Sequence, residues 1–362
     1  MEDIDDDWDS FIQNEYADVS NSKLSNIVDF KSEDSANTRL SIEPNILPKC
    51  SDIYISTKTK ISYLNKSDID IKNIFWNIPV ISYSIPSNGV IKKQIKYSST
   101  SKEEVEYIAN KLKLVKCYEE QIIEHIDNPD GRIKYKDQRK ISIGICKKDI
   151  LSYRSKKKRA FFNCFVLIMR LLDNGEYKEM HIKVFNTGKL EIPGIQSDLL
   201  LTNVLTLLVN TLKPFLGEDL AYLSERSETV LINSNFNCGY YIDRDKLHDL
   251  LKYKYRINSN FDACSYPGIQ CKFYYDNTLA INKQMGHQPT HKNYHEISFM
   301  IFRTGSVLIV GKCDDNILFN IYDFLKNILE TEYLNIAGPS IDLLPTNKNR
   351  IPKIRRKILL FD

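Results

Sequence analysis

Three histidines spaced four residues apart, His287, His291 and His295, are the pattern in this 362-residue chain that most directly suggests chemistry. On a helix that spacing would align three imidazoles on one face, as a transition metal requires. Gly286 and Pro289 interrupt the stretch, and a proline ring removes a backbone bond that a continuing helix needs. The segment therefore predicts a loop, with no metal site. Eight cysteines (Cys50, Cys117, Cys146, Cys164, Cys238, Cys264, Cys271 and Cys313) are scattered without a Cys-x-x-Cys pair. They read as buried or surface thiols and not as a zinc ribbon or a disulfide framework. The chain has no Gly-rich phosphate loop, no acidic cluster of metal-binding type and no nucleophile in a recognisable motif. An enzyme is not expected, and no cofactor is implied.

Charge carries more information by region than in total. Residues 1–48 hold twelve acids and three bases, a net −9, so the remaining chain carries +12 of the overall +3. Such a basic body suits a polyanionic partner, although a solvated basic surface has the same composition. The densest basic run is RSKKKR, with Lys156, Lys157, Lys158 and Arg159 at its centre and end, and the C-terminal KNRIPKIRRK is basic as well. No run approaches the roughly 18 consecutive apolar residues of a membrane span, and the N-terminus is acidic where a signal peptide is basic. The expectation is an intracellular protein without a membrane partner.

Five regions must position whatever function exists. Residues 1–48, rich in Asp, Ser and Asn, bury too little apolar surface to offset chain entropy and read as a disordered tail. IYISTKTKISYL from Ile53 alternates as a strand does, and DIDIKNIFWNI is a short helix that ends before Pro79. Residues 80–158 are a mixed segment with a hairpin expected about PSNG, Pro86 to Gly89, and a helix from Ser101 whose SKEE fits a capping box. Residues 159–215 hold strands and a long helix, and from Thr229 the cycle of strand and helix restarts.

That restart is an internal repeat. FNTGKLEIPG, Phe185 to Gly194, and FRTGSVLIVG, Phe302 to Gly311, share Phe, Thr-Gly and a final Gly at one spacing. Each follows an apolar strand-like run, FFNCFVLIMRLL or YPGIQCKFYY, and each precedes apolar residues recurring three and four apart, in DLLLTNVLTLLVNTLKPF and NILFNIYDFLKNILE. Two such halves predict an α+β fold: a pseudo-twofold curved antiparallel sheet with helices on one face.

On these residues the chain resembles the TATA-box-binding protein family, and within it the divergent versions of large DNA viruses. The matching stretches are VFNTGKLEIPG, YPGIQCK, IFRTGSVLIVG and INSNFNCGYYIDRDKL, covering residues 53–336 apart from the insertion. The resemblance implies a two-repeat saddle: a disordered acidic tail (1–48), a first repeat (49–215) with an insertion at about 80–153, a second repeat (216–336) and a basic C-terminal tail (337–362).

Family members press the concave sheet into the minor groove of AT-rich DNA and wedge paired phenylalanines between base steps, and they are a standard example of such wedging. The resemblance places Phe302 and Tyr266 at one wedge and Phe185 at the other, where strict alignment puts Cys164 opposite and leaves Phe162 or Phe165 to serve through a bulge. Leu308 and Val310 take the groove-floor positions, whose first-repeat equivalents are Glu191 and Pro193, with Lys183 beside them. Lys58 and Lys60 fall near one expected floor asparagine, and Leu231 and Asn233 near the other. RSKKKR falls at the loop that flanks the DNA end, where backbone contacts add affinity without sequence information. The implied function is promoter binding with recruitment of a transcription factor IIB-like protein and RNA polymerase, in the nucleus or a viral factory. A saddle that has become a protein-binding scaffold is the alternative, and a repair enzyme using the fold as a substrate module is a third reading.

Overall fold

A computed structural model describes residues 48–151 and 162–338. The acidic tail, the RSKKKR run and the basic C-terminal segment lie outside the described residues. The first half runs β1 (Tyr54–Tyr63), α1 (Ile71–Asn77), β2 (Gly89–Ser99), α2 (Lys102–Leu112), β3 (Tyr118–Asp127), β4 (Tyr135–Gly144) and α3 (Lys147–Leu151). It continues with β5 (Cys164–Asp173), β6 (Glu176–Phe185), β7 (Lys189–Ile195) and α4 (Asp198–Leu216). The second half runs β8 (Glu228–Asn237), α5 (Arg244–Asp249), β9 (Asn258–Asn260), β10 (Gly268–Asp276), β11 (Tyr294–Phe302), β12 (Ser306–Gly311), α6 (Asp315–Thr331) and α7 (Tyr333–Ile336).

The strands form one curved antiparallel sheet in the order β3-β4-β2-β5-β6-β7-β1-β8-β12-β11-β10-β9. Outward from the central pair β1 and β8, β7, β6, β5 and β2 on one side mirror β12, β11, β10 and β9 on the other. The stretch read as an insertion thus contains a strand of the repeat itself: β2 pairs β5 as β9 pairs β10. What the first half adds is α2, the β3–β4 hairpin and α3. The expected hairpin at PSNG does not form. Residues 79–88 are a loop leading into β2, because the carbonyls of Tyr83, Ile85 and Ser87 turn to the Arg170 guanidinium instead of a neighbouring strand.

The helices start where the sequence offers a cap. Ser197 Oγ accepts from the Leu200 amide (3.2 Å) at α4, and Asp314 Oδ1 accepts from Ile317 (2.9 Å) at α6. At α2 Ser101 caps the helix as expected, its Oγ accepting from Glu104 N, while Glu104 Oε2 reaches back to Thr100 N, one residue before the cap. α4 buries Leu201, Val204, Leu205, Leu208 and Leu212 against the first half, and α6 buries Ile317, Ile321, Leu325 and Ile328 against the second. This three-and-four spacing is what drives each helix onto the sheet. By length and composition α4 could cross a membrane, and here its apolar stripe is core.

The repeated Thr-Gly has a steric reason. Gly188 (φ +77°) and Gly305 (φ +80°) both turn through left-handed backbone. A Cβ on Gly188 would meet the Lys66 carbonyl at 2.0 Å, and one on Gly305 the Tyr240 carbonyl at 2.3 Å. The loop leaving the first strand of each half presses on the turn at the same place, so both turns require glycine.

Candidate nucleic-acid interface

Side chains of a strand alternate between faces, so the residues that do not pack under the helices define the concave side. In β8 the core takes Ile232 and Phe236, which leaves Leu231, Asn233, Asn235 and Asn237 on the concave side. In β12 the core takes Val307 and Ile309, leaving Leu308 and Val310, and in β11 it takes Ile297, Phe299 and Ile301, leaving Met300 and Phe302. Ladder pairs join these into rows: Asn233 opposite Val310, Asn235 opposite Leu308, and Leu308 opposite Met300. The second half therefore turns three amides, three aliphatic side chains, a thioether and the Phe302 ring toward the concavity. Asn235 Nδ2 donates to Ser56 Oγ (2.7 Å), and Asn237 Oδ1 accepts from Gly239 N (2.7 Å), so both amides are held in place.

At the end of β11 the two rings that the resemblance pairs lie against each other. The Phe302 and Tyr266 rings stand 6.0 Å apart in a T-shaped contact. Phe302 pairs with Gly268 across the ladder, and a Cβ on that glycine would lie 2.8 Å from the Phe302 ring. The missing side chain is what lets the ring settle on the neighbouring backbone.

The first half differs at each of these points. Phe185 pairs with Cys164, so Cys164 corresponds to Gly268 and Phe162, two residues earlier, corresponds to Tyr266. This corrects the strict alignment, which set Cys164 at the ring position. Phe162 is 40% exposed, with the Lys96 ammonium 5.7 Å from its ring, and Lys189 Nζ lies 5.6 Å from the Phe185 ring. Burial, and then Lys140 beside it, pull the Lys96 pKa down. Phe165 is not a wedge residue: it is fully buried in the core under α4. Lys58 and Lys60 are corrected too. They point to the convex side, where Lys58 pairs with Asp315 (3.0 Å) and Lys60 with Asp198 (3.7 Å) at the first turns of α6 and α4. A carboxylate there is favoured by the helix dipole, and β1 supplies its counterion at both helices.

The concave residues of β1 are instead Thr57, Thr59, Ile61 and Tyr63, opposite Asn233, Leu231, Glu191 and Lys189 in turn. Glu191 is concave as expected, but Lys183 sits across the ladder with Nζ 2.8 Å from its carboxylate, so the pair cancels most of the repulsion a lone acid would exert on phosphates. Lys156, Lys157, Lys158 and Arg159 fall outside the described residues. The histidine series is a loop and a strand: His287 Nε2 meets the Tyr255 carbonyl (2.9 Å), His291 Nε2 meets Asp276 (3.1 Å), and His295 lies in β11.

Sequence reasoning missed Asn235, Asn237, Met300, Gly268 and Arg170. For the asparagines a signal existed. NSNFN alternates in steps of two, which puts its three amides on one face and Ser234 and Phe236 on the other.

Fold and surface together define the class: a two-repeat antiparallel saddle whose concave side carries an amide and aliphatic floor with an aromatic pair at its end. No family model matches the chain. It is similar to a TATA-box-binding protein-like protein of Acanthamoeba polyphaga mimivirus, 25% identical over 221 residues, a match that covers 56% of each protein. The match thus spans little more than half the length of that relative. Among solved structures it is similar to the TBP of Methanococcus jannaschii, with a TM-score of 0.37 and 12% identity over 78% of this chain and 99% of that one.

Proposed function

We propose that this chain is a transcription initiation factor of TATA-box-binding-protein type, binding AT-rich duplex DNA through the concave side of its second half. The observation that carries the reading is the assembled surface there: Phe302 and Tyr266 as a ring pair, with Asn233, Asn235, Leu308 and Val310 as the floor. A·T pairs offer only acceptors and no exocyclic amine in the minor groove, so amide donors and small apolar side chains suffice to read it. A rigid ring pair at the end of such a floor can replace the stacking lost when a base step is opened. In this reading the partners are a transcription factor IIB-like protein and RNA polymerase, and the site of action is the nucleus or a viral factory.

End-labelled AT-rich and GC-rich duplexes of equal length test it by fluorescence transfer. Binding with increased transfer on the AT-rich duplex, weakening as salt rises, is the expected result. Absence of binding to both favours the second reading, a protein-binding scaffold. Pro193 and Cys164, where the second half has Val310 and Gly268, favour that scaffold.

A further inference from the structure

The concave side of the first half carries a second layer of its own chain. Ile168 lies between Leu167 and Met169, which both belong to the core under α4, yet it packs with Ile91, Cys146, Ile81 and Tyr83 in a separate buried cluster. That cluster is therefore on the opposite, concave face. Two residues further along the same face, Arg170 donates to the carbonyls of Tyr83 (2.8 Å), Ser87 (3.2 Å) and Ile85. Tyr177 Oη donates to the Pro86 carbonyl (2.7 Å). From the other segment, Asp149 holds Lys92 Nζ at 2.8 Å through both carboxylate oxygens, and the Lys147 amide donates to Glu179 (3.0 Å). Residues 79–88 and 145–151 thus bring carbonyl and carboxylate oxygens to the cations of this face, as phosphate oxygens would.

The register shows what this layer occupies. Four residues back from Phe302, Ser298 pairs with Lys272; four back from Phe185, His181 pairs with Ile168. The Lys272 side chain is 45% exposed beside Glu296, whereas Ile168 is under the layer. Arg170 corresponds in the same count to Tyr274, which is also buried, between Tyr294 and Asn258 of the sheet and a hollow lined by loop residues 279 and 283–289, with no cation for that loop to hold. Lifting the layer would strip a buried guanidinium of three acceptors and a buried lysine of its carboxylate, and a buried cation left without partners is strongly unfavourable.

We infer that residues 79–88 and 145–151 are a fixed lining that closes the outer strands of the first half's concave face, β2, β5 and β6, to duplex DNA, so that a bound duplex is kinked at one end only, by Phe302 and Tyr266. The inference rests on the DNA reading above. A fluorescent adenine analogue at the outer AT steps on both sides of one duplex reports unstacking, whichever way the protein lies. In the full chain, Phe302→Ala should abolish that signal and Phe185→Ala should leave it intact. Maleimide labelling read by mass spectrometry follows Cys146, which is buried in the lining with its thiol pushed up to about 11 by burial, against exposed Cys117 and Cys264. Cys146 should stay protected with and without saturating DNA. A signal that each phenylalanine variant halves, or a Cys146 that becomes labelled when DNA binds, overturns the inference and leaves the DNA reading standing. No binding to any duplex by the unmodified chain overturns the DNA reading, and this inference with it.

Discussion

At the end of β11 the ring of Phe302 rests on the bare backbone of Gly268, while at the end of β6 Phe185 faces a residue that has a side chain, Cys164. The floors differ in the same sense: Leu308 and Val310 in one half, Glu191 and Pro193 in the other. Both halves nevertheless keep the glycine turn, the capped long helix and the lysine from β1 at its first turn. The comparison teaches that the constraints of a duplicated fold sit in turns, caps and core, and that the concave surface can diverge without disturbing them.

The largest expected effect that would sharpen this contrast is at Arg170. Replacing it with Ala leaves three loop carbonyls without their donor and should destabilise the protein by about 2–4 kcal/mol. Tyr274→Ala, at the matching position, should cost less and leave the 79–88 loop protected. Urea denaturation gives the first quantity and hydrogen exchange the second; equal loop exposure in both variants would break the contrast.

Next comes the glycine. Gly268→Ala puts a Cβ 2.8 Å from the Phe302 ring and should cost about 1–3 kcal/mol, with weaker binding to AT-rich DNA. Cys164→Gly, its counterpart, should leave binding unchanged. A gain in DNA bending from Cys164→Gly would show that the first wedge is suppressed by this side chain and not by the lining.

Acid should weaken both halves through different carboxylates. In the second, the Lys254 ammonium, with Tyr255 and Asn335, pulls Glu332 down to about 2; in the first, Arg139 and then His125 hold Asp137 below the usual range. A carboxylate depressed on folding contributes stability that is present above its unfolded pKa, near 4, and is lost as pH falls through the folded value. Glu332→Gln should therefore be less stable at neutral pH and show a flatter decline from about pH 4.5 to 2. An unchanged acid profile would mean that Lys254 does not charge-pair with it in solution.

The smallest effect is expected from the acidic tail. Its net −9 can compete with phosphates for the basic body, so deleting residues 1–48 should tighten DNA binding a few-fold at low salt and less at high salt. Affinities of the two chains that coincide across a salt series would leave the tail a solubilising or partner-recruiting segment.

Most of the frame was legible because it rests on local chemistry: alternation in β1, Thr-Gly turns, and apolar residues recurring three and four apart in the two long helices. The face of a residue was harder. β1 carries register shifts between Ile55 and Thr57 and between Thr59 and Lys60, so counting by two along it misassigns Lys58 and Lys60. Cys164 was placed by alignment of the repeats, whereas the unbroken β5–β6 ladder sets it opposite Phe185. The lining had no readable sign, since four of its contacts are backbone carbonyls, which every sequence possesses.

The position of β1 also has a consequence in time. It leaves the ribosome first among the described strands, yet its neighbours in the sheet are β7 and β8, so Ile61 meets Glu191 only after about 130 further residues have been made. At roughly 5–20 residues per second that is on the order of 6 to 26 seconds. For that interval a ten-residue strand bearing Ile55 and Ile61 has neither edge covered. The two lysines that later anchor both long helices, with Lys66 just beyond the strand, are then the charges nearest to hand for keeping it apart from other chains.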